Sequence, residues 1–325
     1  MMRILVATRD DVFVLDSDDG ALRESAGVHR SPTCLAVDGA TGRAWCGTVD
    51  GVRWSDDGGD RWEPAGLEGE EVTAVAASLT EPGVVWAGTE PSAIYRSDDG
   101  GSTWSRAEGL LDLPSSSEWS FPPRPETHHV RWIACHPAEP GRLWVAIEAG
   151  ALVTSSDGGA SWEDRVPDGP YDTHELAIHP ERPDGLRVAA GDGYFESEDG
   201  GATWRSPERG LEVGYLRSVA IDPGDPDAVV VSAASHAHAA YAAGRSDGRL
   251  YRREGDGPWR RVVEGWPDPP DTIAPLLVAG REPGELWAAD ERGVHRSEDG
   301  GRAWRFAAVF EATPPWLRGL AVVDA

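Results

Sequence analysis

The sequence predicts an all-β fold, a seven-bladed β-propeller, and three observations carry that prediction. A short phrase, Ser-x-Asp-x-Gly-x-x-Trp, is written five times, with successive serines 42, 58, 42 and 100 residues apart. Each copy is flanked by short apolar runs separated by turns rich in Gly, Asp and Pro. A period near forty, with about four short strands per unit, is the signature of a propeller. The 325-residue chain shows no linker-like break between the units, which fits one ring over residues 1–325 better than two ordinary domains.

In chain order, Met2–Thr8 reads as the second strand of a unit with no first strand before it. The stretch 12–20, with Asp16, Ser17, Asp18, Asp19 and Gly20, reads as a decayed copy of the phrase without its Trp. The complete copies are Ser55, Asp57, Gly59 and Trp62; Ser97, Asp99, Gly101 and Trp104; Ser155, Asp157, Gly159 and Trp162; Ser197, Asp199, Gly201 and Trp204; and Ser297, Asp299, Gly301 and Trp304. A second decayed copy, 250–259, fills the long gap and brings the units to seven. Each unit opens on an apolar strand such as 219–223. A second strand often carries Trp before Gly or a small apolar residue, as at Trp45, Trp86, Trp144 and Trp287. A third leads into the phrase and a fourth begins at its Trp. Segment 316–323 resembles a first strand, so it is expected to complete the N-terminal blade and remove the sheet edges of an open array.

The phrase reads as a turn. Its Ser and Asp oxygens bond backbone groups between third and fourth strands. Its glycines allow positive φ, and its Trp is expected to cover the hairpin as an apolar plate.

The four kept positions resemble the Asp-box, or BNR, repeat, and the resemblance covers nearly the whole chain. Families with this repeat include sialidases, xyloglucan-cleaving hydrolases, the sortilin ectodomain and photosystem II assembly factors. Their box lies on the face opposite the ligand site, which implies that Asp57, Asp99, Asp157, Asp199 and Asp299 are turn staples and not catalysts. The sialidase pattern is incomplete: Arg3-Ile4-Leu5 lacks the expected Pro, and seven units do not fit a six-bladed enzyme. Xyloglucan-cleaving relatives face two propellers across a cleft, and this chain supplies one. The larger sortilin ring and its cysteine-rich appendage are absent. The assembly factors fit in size and blade number, although the lysine-free composition does not suggest a photosynthetic source.

The formal net charge is −26, and all thirty basic residues are Arg. Such a surface self-repels at low salt and is soluble when screened, as expected in a salt-accumulating halophile. A GC-rich genome that favours Arg codons is the alternative. The field repels phosphates and argues against a nucleic-acid partner. No secretion signal or spanning segment is visible, so the expectation is a cytoplasmic monomer away from membranes. Cys34, Cys46 and Cys135 read as buried free thiols, the first two on adjacent strands.

Function is expected on the face that carries the loops into each first strand and the loops between second and third strands. Two of these are long, 109–127 and 232–244. The first ends at His128 and His129; the second contains His236, His238 and Tyr241. Between them lies 168–175, with Tyr171. Aligning the first strands places Thr33, Thr73, Arg131, His174, Arg217, Ala274 and Arg318 at one register near the channel mouth. Three Arg and one His there would make a positive focus suited to carboxylates or phosphates; ion pairs with neighbouring blades are the competing use. The predicted ligand-binding set is therefore Arg131, His174, Arg217, Arg318, His128, His129, Tyr171, His236, His238 and Tyr241. The loop histidines lack a fixed carboxylate partner or a known ligand spacing, so no metal or cofactor is expected. His136 and His179 read as turn residues. Candidate carboxylates on this face are Glu90, Glu148, Asp172, Glu175, Asp192 and Asp290, none marked as a pair. The reading is a non-catalytic propeller that binds an anionic ligand, a saccharide or a protein partner; the alternative is a glycoside hydrolase.

Overall fold

In this computed structural model, all residues are described except Met1, Asp18, Asp19, His29, Arg30, Pro269, Pro315 and Ala325. Seven antiparallel sheets stand around one axis. Their innermost strands are, from blade 1 to blade 7, Leu317–Asp324, Pro32–Val37, Glu71–Ala77, Val130–Cys135, Thr173–His179, Tyr215–Asp222 and Leu276–Ala279. Each touches the next, and the last returns to the first. The seven-bladed propeller predicted from the repeat is the fold.

Closure is as expected. Leu317–Asp324 pairs with Met2–Thr8 from Met2 opposite Asp324 to Thr8 opposite Leu317. Leu317, Ala321, Val322 and Val323 are buried there. The two ends of the chain thus share one blade, and that sheet is closed by the segment farthest away in sequence.

The repeated phrase is a hydrogen-bonded turn in all five full copies. Each Ser Oγ donates to its Asp Oδ1 at 2.8–3.0 Å. The same oxygen accepts the second Gly N–H at 2.8–2.9 Å. Each Asp Oδ1 also accepts the N–H four residues on, from Arg61, Thr103, Ser161, Thr203 and Ala303. Asp99, Asp157 and Asp199 lie below the usual carboxylate range, first because the Thr103, Ser161 and Thr203 hydroxyls donate to Oδ2 and next because of these N–H bonds. The Asp18 and Asp19 pair of the first decayed copy lies outside the described residues.

Trp204 and Trp304 lie against the glycines of their own turns, as expected, but other Trp residues reach a neighbouring blade. Trp104 Nε1 donates to Ala65 O, Trp162 to Glu108 O and Trp259 to Pro207 O, each on the preceding blade. The second-strand residues Trp45, Trp86 and Trp144 are fully buried. Their rings sit beneath Gly101, Gly159 and Gly201 of the following blade, and a Cβ at Gly101 would stand 2.8 Å from Trp45. Trp104, Trp162 and Trp259 thus bond the preceding blade, and Trp45, Trp86 and Trp144 pack under the following one, whereas Trp304 Nε1 donates to Gly301 O within its own turn. The positive φ of the glycines (+83° at Gly101) suits residues with no Cβ. Fourth strands start just after the motif Trp, as in Glu63–Pro64 and Ser105–Ala107. Blades 4 and 5 reduce theirs to single bridges, Thr154 to Glu163 and Glu196 to Arg205.

The three thiols are free. Cys34 and Cys46 do fall on adjacent strands, opposite Gly47 and Leu35. Burial pushes the Cys34 thiol up to about 11 and the Cys135 thiol to about 12, which leaves both unreactive near neutrality.

Candidate functional site

The register picked out in the sequence has a structural cause. In six innermost strands the pairing slips by one residue, and the extra residue is Thr33, Thr73, Arg131, His174, Arg217 or Arg318. A β-bulge leaves that residue out of the ladder and re-aims its side chain. In blade 7, Ala274 precedes the strand.

Four of the six bulge side chains turn sideways. Thr33 Oγ1 donates to Val72 O, and Thr73 Oγ1 to Val130 O at 2.7 Å. His174 Nδ1 donates to Leu216 O at 2.5 Å. Arg217 donates to Ala274 O at 2.6 Å and to Leu317 O at 2.8 Å, while its guanidinium lies 4.6 Å from the Tyr241 ring. His174 and Arg217 are buried beneath the channel mouth. Burial lowers the Arg217 pKa to about 10. This guanidinium is a clamp between blades, not a surface open to a ligand, because it is buried and both terminal nitrogens bond backbone carbonyls.

Arg131 and Arg318 do reach the mouth. They line a cavity of about 820 Å³ together with Arg9, Arg124, His129 and His238. Tyr215, Tyr241, Trp316, Phe121, Pro122 and Pro123 supply an aromatic and proline wall. Tyr241 and Trp316 stack at 6.2 Å, and the Arg318 guanidinium lies 5.7 Å from the Trp316 ring. Both long loops contribute, 109–127 through Phe121 and Arg124, and 232–244 through the helix Ala237–Tyr241.

The positive focus expected from the sequence is only partial, because carboxylates share the cavity: Glu71, Glu90, Glu148 and Asp172. Arg124 pairs with Glu90 at 2.5 Å, and Arg131 with Glu148 at 3.2 Å. His129 Nε2 also bonds Glu148, at 3.0 Å. Among the described residues Arg9 and Arg318 make no ion pair, so the open cationic side is that of blade 1. Burial by itself would raise the Glu148 pKa, but the His129 hydrogen bond and the Arg131 charge hold it down at about 2. Asp172 is raised, by burial first and by the Glu148 charge among the rest. Below the mouth, Glu175 faces the narrow channel and accepts the Ser218 hydroxyl; burial pushes it up to about 8.

The other predicted residues are dispersed. His128 packs edge-on against Trp119. Tyr171 is exposed, with the Arg165 guanidinium 5.5 Å away. His236 caps the short helix by accepting Ala239 N–H at 3.2 Å. His136 and His179 hold turns, as their sequence positions suggested. Of the candidate carboxylates, Asp192 accepts the N–H groups of Tyr171 and Asp172, and Asp290 is fully buried. Sequence reasoning missed Arg9, Arg124 and Trp316. Arg9 follows the second strand of blade 1, so extending the strand alignment to second-strand ends would have shown it.

No protein-family model matches the chain. It is 25% identical over 276 residues to the photosystem II assembly lipoprotein Ycf48 of Synechococcus sp. (strain CC9902), covering 81% of this chain and 71% of that one. Among solved structures, YCF48 bound to D1 peptide aligns at 17% identity with a TM-score of 0.61, covering 100% of this chain and 96% of that one. The GH74 xyloglucanase from Xanthomonas campestris aligns at 15% identity with a TM-score of 0.71. This chain spans 94% of itself but 52% of that enzyme. These likenesses to solved structures support the fold. No helix among the described residues is long and apolar enough to cross a membrane.

Proposed function

We propose that the protein is a binding propeller that takes an acidic segment of a partner chain into the cavity at its channel mouth. The observation that carries this reading is the pairing of two guanidiniums without an ion-pair partner, Arg9 and Arg318, with an aromatic wall of exposed Trp316 and half-buried Tyr241. The cavity, about 820 Å³, falls in the range that buries a small ligand or a few residues of peptide. Arg318 presents a planar fork to a carboxylate while its other face lies near Trp316. The weak relationship to a photosystem assembly factor, and the peptide-bound structure of such a protein, support a protein partner over a sugar.

A second reading, a glycoside hydrolase, draws on Glu148 and Asp172, whose ionisations are pushed in opposite directions. Their facing oxygens lie within 4.8 Å of one another, closer than the roughly 5–5.5 Å of retaining and 6.5–9.5 Å of inverting enzymes. Glu148 is also engaged by both His129 and Arg131. Binding is therefore the better account.

The test is calorimetric titration with an acidic peptide carrying a free C-terminal carboxylate, in buffer of at least molar salt. Arg318→Ala should weaken binding about tenfold or more, the scale of one charge-assisted contact. The exposed-surface variant Arg182→Ala should leave it unchanged. Equal affinity of wild type and Arg318→Ala would end the proposal.

A further inference from the structure

We infer that Glu148, Asp172 and His174 form a binding site for a divalent transition metal, zinc being the best match, on the acidic side of the same cavity. Each residue offers one ligand atom, and the three atoms lie within 4.8 Å of one another. One nitrogen with two carboxylate oxygens is a donor set that zinc and its neighbours accept, and softer or harder ions suit less well.

The imidazole is prepared for this role. Its Nδ1 meets the Leu216 carbonyl at 2.5 Å, and a carbonyl can only accept, so Nδ1 carries the hydrogen. In the neutral ring the lone pair is then on Nε2, which lies 3.7 Å from Asp172 Oδ2 and is the atom that would take the metal. A histidine whose far nitrogen is fixed by a backbone carbonyl is the usual outer support of a metal ligand. Asp172 is oriented likewise, since its Oδ1 accepts Ala149 N–H at 2.9 Å and leaves Oδ2 facing the imidazole. Separations of about 3.3–3.5 Å are expected between tetrahedral ligands on bonds near 2.0–2.1 Å, so 3.7 Å needs only a small closing movement. That gap is too long for a hydrogen bond, and a metal ion would bridge it.

Two more features fit. Gly191 lies against this pair, and a Cβ there would collide with the Asp172 carboxylate and press on His174 Cε1. The Tyr215 hydroxyl hydrogen-bonds His174 Nε2 at 3.3 Å from the open side of the cluster, and a bound metal would displace that bond. Glu148, Asp172 and Tyr215 all line the cavity, which supplies an entry path and a free coordination position. Arg131 works against a cation, being 3.2 Å from Glu148. Arg131 and His129 both engage Glu148 through Oε2, and Asp172 adds a second carboxylate that neither of them bonds. The loop histidines 128, 129, 236 and 238, which drew attention in the sequence, are not the ones brought together.

The full chain, stripped with chelator and held in molar salt to suppress diffuse binding to its acidic surface, is titrated with Zn²⁺ by calorimetry. Co²⁺ is titrated in parallel and followed by its visible absorption. One Zn²⁺ per chain and ligand-field bands from Co²⁺ are expected. Asp172→Asn, which keeps the side-chain shape, should weaken Zn²⁺ at least tenfold and alter the Co²⁺ spectrum, with circular dichroism unchanged. Asp98→Asn makes the same charge change on an exposed turn of the opposite face and should leave affinity within about twofold. Absence of one-to-one binding, or equal losses in the two variants, overturns the proposal. The outcome is independent of the peptide titration, because Arg318 takes no part in it.

Discussion

Removing the negative charge of Asp290 is the sharpest test of how this protein treats its buried ions. Asp290 ends the strand Leu286–Asp290 in blade 7 and sits in the tight turn before Gly293–Ser297. It is fully buried, yet it accepts Arg292 Nε at 2.9 Å, His295 Nε2 at 3.2 Å, Thr272 Oγ1 at 3.1 Å and Arg292 N–H at 2.8 Å. Burial pushes its pKa up, but the His295 and Arg292 contacts prevail and hold it at about 2, against an ordinary 3.8. A folded-state pKa below the unfolded one means stability that is present above pH 4 and lost as the pH falls toward 2. The shift corresponds to about 2–2.5 kcal/mol at neutral pH, about half of it gone by pH 3. Asp290→Asn keeps the shape, turns an amide N–H₂ toward donors, and leaves Arg292 without its counter-ion. The cost at pH 7 should be about 3 kcal/mol, the lower end for breaking a buried pair because Arg292 keeps some solvent contact. Denaturant unfolding of wild type and variant at constant high ionic strength, at pH 7, 5 and 3, gives the comparison. The gap between them should narrow by about 1 kcal/mol between pH 7 and pH 3. A gap below 1 kcal/mol at pH 7, or one that does not change with pH, would refute the argument.

Two further predictions concern the ring itself. Deleting residues 316–325 removes the innermost strand of blade 1 and its pairing with Met2–Thr8, and it strips the cover from a buried cluster containing Ile4, Val6 and Leu15. Cooperative thermal unfolding should be lost; a melting profile like that of the full chain would show that closure is not what holds the ring. Ser97→Ala leaves the Gly101 N–H without its acceptor at a site that is 1% exposed. This should cost about 1–3 kcal/mol in denaturant unfolding, and a loss under 0.5 kcal/mol would mean that the turn is held by Asp99 alone.

The sequence by itself determined the architecture, because the repeat is local chemistry. Ser, Asp and Gly at fixed spacing dictate one turn, and a turn repeated at a forty-residue period dictates strands around an axis. It also determined the closure, since an unpaired second strand at one end and a first strand at the other complete one blade. The bulge register was legible too, as an alignment of Thr33, Thr73, Arg131, His174, Arg217 and Arg318, but its meaning was not. Only the tertiary structure decided that Arg217 and His174 turn into neighbouring blades while Arg131 and Arg318 face the cavity. That choice depends on which carbonyl of the next blade lies within reach, and the sequence does not carry such distances. The same holds for Trp104 and Trp162, which bond the preceding blade where the sequence suggested hairpin covers, and for Glu148, Asp172 and His174. Those three come from two different blades and meet because the ring brings a second-to-third-strand loop beside the start of the next innermost strand. Proximity of that kind is a property of the closed ring, and no spacing along the chain records it.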